Sequence, residues 1–300
     1  MPPRITVVIL NTDRRDDTLA CLASLQASVG LRPDILVLDN ASRDGSVEAI
    51  HAGFPEVDVL ELPRNLGYAG NNNLGMQAAL GRGAAWVLVL NEDVILAPES
   101  LTRLVAAAED DPRIGIAGPM VYHHEAPTVI QSAGGLLDRR WRSSHRGLNE
   151  PDHGQYTAVQ EVDWISGCAL LIRREVIEQI GGLDERFFYY WEETEWCLRA
   201  RRAGWQIAFV PQSKIWHKGV QLEYRPAPNV TYYWTRNWLM MLGKHRAPMS
   251  AWLTAAGWIA RNSLSWSLLP KWRAAMRAHR QAMWQGALDF LRHRWGMRPA

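Results

Sequence analysis

Three carboxylates fall within four residues in FFYYWEETEWCLRARR, where Glu192, Glu193 and Glu195 follow an aromatic run and precede three arginines. A carboxylate beside an aromatic wall suits a catalytic group at the mouth of a pocket. The wall would be Tyr189, Tyr190, Trp191 and Trp196. The same acids in the first turn of a helix also suit its dipole. Glu193 is the expected base, and Glu192 is an acceptor contact or its partner. Glu195 and Arg199 read as an i,i+4 pair, worth about 0.3–0.5 kcal/mol if exposed.

A second acidic stretch is LVLNEDVIL. Asp93, with Glu92 before it, ends an apolar strand, where a charge needs a cation or donors to meet it. Oxygen ligation of Mg²⁺ or Mn²⁺, bridged to a diphosphate, is the chemistry that fits; capping the helix near PESLTRL is the alternative. In VLDNASRDGS, Asp39 is placed to accept from the imide N–H of a uracil or thymine, and equally to shape an ordinary turn. In RNLGYAGNNNLG, Gly67, Gly70 and Gly75 would let backbone approach a ligand, with Asn65 and Asn71 to Asn73 as donors. The spacing is not G-x-G-x-x-G, so a dinucleotide fingerprint is not supported.

These residues need elements to hold them. ITVVIL, DILVLDN, VDVLELP and AAWVLVLNEDVIL read as strands, the first two buried on both faces. Helical stretches, RDDTLACLASLQAS and RDGSVEAIHAGF (capped by Ser42 or Asp44), separate the first three, and GYAGNNNLGMQAAL runs from loop into helix. The alternation predicts an α/β fold, a mostly parallel sheet with helices on both faces and ligands at the carboxyl ends of the strands. IGIAGPMVYH, VIQSAGG and VDWISGCALLIRREV read as further strands among long polar loops.

Composition sets outer limits. With 47% hydrophobic and 21% charged residues, this is no disordered chain. The net charge of +2 points to no partner, but its distribution is uneven: from Arg236 onward eleven Lys/Arg face a single acid, Asp289. Three cysteines without C-x-x-C spacing argue against a disulfide scaffold or cysteine-ligated zinc, and for a reducing cytoplasm. MPPRITVVIL is too short in apolar length for a signal peptide, and no stretch reaches the roughly 18–20 apolar residues of a spanning helix.

Taken together and in order, the strand-end motifs and the acidic stretch resemble the inverting glycosyltransferases of family 2, with the GT-A fold. The resemblance runs from about Ile5 to Lys244 and is nearest to bacterial rhamnosyl- and galactofuranosyltransferases of surface-polysaccharide assembly. VVILNTD resembles the first strand, whose end (Leu10, Asn11, Asp13) touches the base; VLDNAS supplies Asp39 and Asn40 for the pyrimidine. NLGYAGNNN, with Asn65, Gly67, Gly70, Asn71 and Asn72, resembles the loop under nucleoside and diphosphate. NED stands at the metal-binding D-x-D, implying a metal role for Asp93. VDWISGCALLIRR resembles the donor–acceptor junction, with Trp164 and Gly167 as contacts, and YYWEETEWCLRA the E-D-x-D stretch followed by Arg199, with Tyr190 and Trp191 toward the acceptor. WHKG resembles a late histidine motif, implying His217 as a second metal ligand; alone it reads as an ordinary histidine.

The resemblance implies a metal-dependent transfer, with Mn²⁺ or Mg²⁺, from a dTDP- or UDP-sugar to a saccharide or polyprenyl-linked acceptor. Three departures stand out: Glu193 and Glu195 where the family has Asp, and Asp13 where Asn is common. No Q-x-x-R-W motif marks a processive polymerase. The rival readings are a catalytically degenerate scaffold that binds a sugar nucleotide and a sugar-nucleotide pyrophosphorylase; NTDRRDD lacks the Gly-rich loop the latter needs. The expected organisation is a catalytic domain over 1–228, with a nucleotide-sugar half to about 115 and an acceptor half after it. A basic, tryptophan-rich helical region follows over 229–300. That region reads as an interfacial amphipathic helix at the inner face of the cell membrane, or as a surface for packing or homodimerisation. No nucleic-acid reader motif accompanies its charge.

Overall fold

The computed structural model describes residues 3–299; Met1 and Pro2, the start of the stretch judged against a leader peptide, and Ala300 lie outside it. The apolar runs of the first hundred residues form strands whose alternate side chains feed two cores. β1 (Ile5–Asn11) sends Val8 to one sheet face and Val7 and Ile9 to the other. After it come α1 (Arg15–Gln26), β2 (Asp34–Asp39), α2 (Ser46–Gly53), β3 (Asp58–Glu61), α3 (Gly67–Gly81) and β4 (Trp86–Asn91). β1 lies between β2 and β4, parallel to both, as strands joined by crossover helices should. Asp44, an expected cap of α2, bonds the Ser46 N–H at 3.1 Å and also takes the Arg15 N–H at 2.7 Å, tying the starts of α1 and α2 together.

Two expectations are corrected. AAWVLVLNEDVIL is not one strand: β4 ends at Asn91, Glu92 and Asp93 form a turn, and β5 (Val94–Leu96) leaves for another partner. GYAGNNNLG is not a loop, because α3 begins at Gly67. Each helical glycine costs about 1 kcal/mol against alanine, so tertiary contacts must hold α3. Gly67 lies at φ +77°, where a Cβ would strike the carbonyl oxygen and ring of Phe188. Asn73 accepts from the Leu183 N–H at 2.8 Å and donates to the Leu183 carbonyl at 2.9 Å.

α4 (Ser100–Asp110) leads into β6 (Ile114–His123), followed by the short strands β7 (Ile130–Ser132), β8 (Gly135–Leu137), β9 (Ser143–His145) and β10 (Gln160–Glu161). β11 (Ala169–Arg173) enters antiparallel between β4 and β6; the rest of VDWISGCALLIRREV is an irregular wall before it and the start of α5 (Arg174–Ile180) after it. α6 (Glu192–Arg202) then leads to β12 (Gln206–His217), parallel to β6. The main sheet runs β10-β12-β6-β11-β4-β1-β2-β3, with β5 on β12 and β7 on β6. α7 (Pro228–Lys244), α8 (Met249–Leu268), α9 (Pro270–Arg273) and α10 (Arg277–Leu291) close the chain. Their apolar residues share one core with Phe187 and Trp191, so this helical region packs directly onto the acidic stretch. Among the described residues no helix is long and apolar enough to cross a membrane.

Candidate active site

Parallel register sets Asn11 beside Asp39 and Leu10 beside Asn91, gathering the polar strand ends on one edge. Asn11 donates to Asp39 Oδ1 at 2.7 Å, and Asp39 Oδ2 accepts from the Ser42 N–H at 3.0 Å. Asp39 is only 2% exposed, and its carboxylate braces the turn after β2, the ordinary-turn alternative for this residue. Asn40 is buried, donates to Thr12 Oγ1 at 3.1 Å and leaves Oδ1 without a partner. Asp13 is exposed at φ +51° and accepts from the Arg43 N–H at 2.6 Å, while Leu10 is half-buried.

The break between β4 and β5 lets β5 pair with the end of β12, with His217 opposite Val94. His217 Nε2 then lies 3.2 Å from Asp93 Oδ1, and its Nδ1 is held 2.8 Å from Gln131 Oε1. The approach is close but poorly aligned, and buried Asp93 Oδ1 has no hydrogen-bond partner. Burial alone would raise the Asp93 pKa; His217, together with the Arg14 charge and a backbone hydrogen bond, overcomes it and holds the group below the usual carboxylate range. α4 starts at Ser100, so capping does not account for Asp93. Gly219 keeps the place open: a Cβ there would come within 2.6 Å of Asp93 Oδ2 and 3.1 Å of His217 Nε2. An oxygen and an imidazole nitrogen facing one gap fit a hard divalent cation that takes its remaining ligands from water and phosphate. No cluster of three or more such side chains exists among the described residues, so the protein offers two ligands at this point.

His217 also lines a cavity of about 390 Å³ whose other walls are the irregular stretch before β11 and the start of α6. Trp164, Gly167, Tyr190, Trp191, Glu192 and Glu193 all face it. The entry to α6 is unusual: Phe188, Tyr190 and Trp191 hold φ values of +66°, +68° and +76°. Non-glycine residues in this region cost energy and persist where their surroundings over-determine them. α7 supplies the restraint. Asn237 Nδ2 lies 2.8–2.9 Å from the carbonyls of Phe187, Tyr189 and Tyr190, and fully buried Arg236 donates to the Phe187 carbonyl at 2.9 Å.

The two acids so presented lack cationic partners. Burial pushes Glu193 up to about 7, and burial plus the neighbouring Glu193 charge pushes Glu192 well above the carboxylate range. Glu192 Oε2 and the Trp191 indole N–H are buried without hydrogen-bond partners. A cavity with an ionisable carboxylate and two unmet polar atoms is built for a ligand that carries hydroxyls.

The family signature of glycosyl transferase family 2 matches residues 6–181. The chain belongs to that family. It is 29% identical over 269 residues to the N-acetylglucosaminyl-diphospho-decaprenol L-rhamnosyltransferase of Mycobacterium tuberculosis, covering 81% of this chain and 85% of the relative. It is 26% identical over 227 residues to the dTDP-rhamnosyl transferase of Shigella flexneri, covering 72% of each. The fold is similar to that of the mannosyltransferase from Pyrobaculum calidifontis solved with GDP-Man and Mn²⁺. In that case the TM-score is 0.61 at 15% identity, over 97% of this chain and 88% of the other. The protein is thus a GT-A glycosyltransferase, and the pyrophosphorylase reading falls away.

Several sequence expectations for this glycosyltransferase are revised. Arg199 does not face the cavity: it binds Glu195 at 2.9 Å and spends its other donors on the carbonyls of Ile180 and Gly182. Glu195 is fully buried, not exposed, and also meets Lys244 at 2.9 Å and His245 at 3.0 Å. Burial opposes its ionisation, but His245, Arg199 and Lys244 overcome this and lower its pKa. Asn71 and Asn72 are buried within α3, where Asn71 accepts from the Leu66 N–H and Asn72 donates to the Tyr68 carbonyl. Gly70 packs on Leu66 and Glu185, and Asn65 accepts from the Gly67 N–H at 2.7 Å. The run braces the site from behind: Tyr68, at the start of α3, donates to the Gly167 carbonyl at 2.5 Å and itself lines the cavity. Sequence reasoning also missed His145, a cavity residue whose pKa burial lowers to about 4, and the pair Arg236–Asn237. The signal for that pair was a polar run, Thr235 to Asn237, inside the otherwise apolar YYWTRNWLMML.

Proposed function

We propose that this glycosyltransferase moves a rhamnose-like hexose from a dTDP- or UDP-sugar to a saccharide carried on a polyprenyl diphosphate, with inversion at the anomeric carbon. The observation that carries the proposal is that Glu193, poised near neutrality, and His217 line one cavity, with Asp93 behind His217 at 3.2 Å. Glu193 takes the proton of the acceptor hydroxyl while that oxygen bonds to the anomeric carbon. The bond from that carbon to the diphosphate oxygen breaks on the opposite face, and the nucleoside diphosphate leaves with the electron pair. Neutral Glu192 and the Trp191 N–H meet sugar hydroxyls, which fixes the ring. Asp93 and His217 would hold Mn²⁺ or Mg²⁺, which supplies charge stabilisation to the leaving diphosphate. The names of the two rhamnosyltransferase relatives support donor and acceptor class. The basic helical region supports a place at the cytoplasmic face of a membrane, where such acceptors reside.

The test is a thermal-shift panel of dTDP-, UDP- and GDP-sugars with Mn²⁺, Mg²⁺ or EDTA, followed by turnover with the nucleotide that binds. Ligand binding to the native state raises its melting temperature by mass action. A metal-dependent shift with a pyrimidine nucleotide, and release of that diphosphate on adding acceptor, is the expected outcome. Binding without release under any acceptor would favour the scaffold reading.

A further inference from the structure

Beside the catalytic cavity lies a larger groove of about 990 Å³, walled by Val230, Trp234, Trp258, Trp266, Trp272 and Met276. The two are continuous: Tyr190, Tyr224 and Trp234 line both, and the hydroxyls of Tyr190 and Tyr224 stand 3.4 Å apart at the junction. The groove is apolar on its walls and carries Arg225 and His279 among its lining. Beyond it, Leu264, Leu268, Leu269 and Trp272 are 40–72% exposed around the junction of α8 and α9. Arg261, Lys271, Arg273 and Arg277 are exposed on the same stretch of chain.

We infer that the groove holds the first isoprene units of the acceptor's lipid chain, with the diphosphate against Arg225, next to Tyr224 at the junction, and the saccharide in the catalytic cavity. The inference rests on the acceptor class proposed above. The order of surfaces is what argues for this occupant. A hydroxyl-binding cavity with the base opens past Tyr190, Tyr224 and the adjoining Arg225 into a tryptophan-lined trough, and the trough ends at an exposed apolar surface. A saccharide joined through an anionic diphosphate to a long hydrocarbon has the same order of polar, charged and apolar parts. The groove's size lies at the upper end of small-molecule sites, and burying apolar chain there is favourable. A soluble saccharide would leave this trough empty, and a second copy of the chain would not need it to join the cavity.

The experiment has two arms on the full chain. In the first, kcat/KM is measured for one saccharide diphosphate bearing either a long isoprenoid or a methyl ester, on wild type and on Ala275→Trp. Ala275 is exposed on the groove wall, so the added ring fills the trough without entering a packed core. The preference for the long chain should fall by at least about tenfold, equivalent to about 1.4 kcal/mol. An unchanged preference, or wild type showing none, overturns the inference. In the second arm, quenching of tryptophan fluorescence is titrated with geranylgeranyl phosphate, which needs no turnover. Saturable quenching weakened by Ala275→Trp supports the groove even if the transfer reaction fails. Equal quenching by phosphatidylglycerol vesicles, or a mass shift to dimer abolished by the variant, would assign the groove to a membrane or a second copy and overturn it.

Discussion

Two acidic clusters in this molecule share their residue types and differ in every other respect. In the turn after β4, Asp93 sits against His217, which helps to overcome burial and keep the carboxylate ionised. At the start of α6, Glu192 and Glu193 have no cation against them, only each other, hydrogen bonds from nearby groups and a backbone bent through positive φ, and burial keeps them protonated to higher pH. Opposite environments push like groups to opposite protonation states, and with them to opposite roles. In the proposed reaction the ionised, half-satisfied carboxylate would hold a cation, and the one poised near neutrality would exchange a proton. Three residues further on, Glu195 makes the point again. It shares the helix with Glu193, yet Arg199, Lys244 and His245 surround it, and it serves only to fasten α6 to the end of α7.

Exchanging the roles of the two clusters should break function most severely. Glu193→Gln keeps the shape and removes the base, so turnover should fall about 10²–10⁴-fold with donor binding intact, as read by steady-state rates and thermal shift. Asp93→Asn should lower kcat/KM on the order of 10³-fold. Unlike Glu193→Gln, it should abolish the metal-dependent part of the nucleotide thermal shift. If both variants behaved alike in that shift, the division of labour would be wrong.

Support from α7 is the next largest effect. Asn237→Ala would strip three carbonyls of their shared donor and cost about 1–3 kcal/mol in a urea titration. The positive-φ entry to α6 should relax with it, so activity should drop at temperatures where the chain is still folded. Stability without loss of activity would mean that the bent backbone holds itself.

The smallest effect concerns pH and stability. Glu193 binds its proton more tightly in the folded state than in the unfolded one. Its favourable contribution is therefore complete below pH about 4.5 and lost as pH rises through about 7. Above that range Glu193→Gln should melt higher than wild type by an amount on the order of 1 kcal/mol; near pH 4.5 the two should coincide. A carboxylate selected only for structure would show the reverse.

How far the sequence announced all this follows the same division. Strand ends were legible because period-2 and continuous apolar runs need only local pattern, and an acid closing such a run stands out at once: NED and VLDN were found this way, whereas His217 in WHKG stood out only through the resemblance to the family. The Gly- and Asn-rich start of α3 misled, since its composition reads as loop and the partners that hold it helical, Phe188, Leu183 and Glu185, lie more than a hundred residues away. Glu195 and Arg199 looked exposed for the same reason: Lys244 and His245 carry no mark of their destination. Nor does FFYYW betray that three of its residues adopt left-handed backbone, because that conformation is imposed by Arg236 and Asn237 and not by its own residues.

The most direct test is the pH dependence of kcat/KM for wild type, Glu192→Gln and Glu193→Gln with the same donor and acceptor. Wild type should lose activity as pH falls through about 7, where Glu193 takes up its proton. Glu192→Gln should keep the acid limb close to its wild-type position, because Glu192 is already neutral there, while Glu193→Gln should be slow and lack it. An acid limb that persists in Glu193→Gln and vanishes in Glu192→Gln would contradict the assignment and make Glu192 the base.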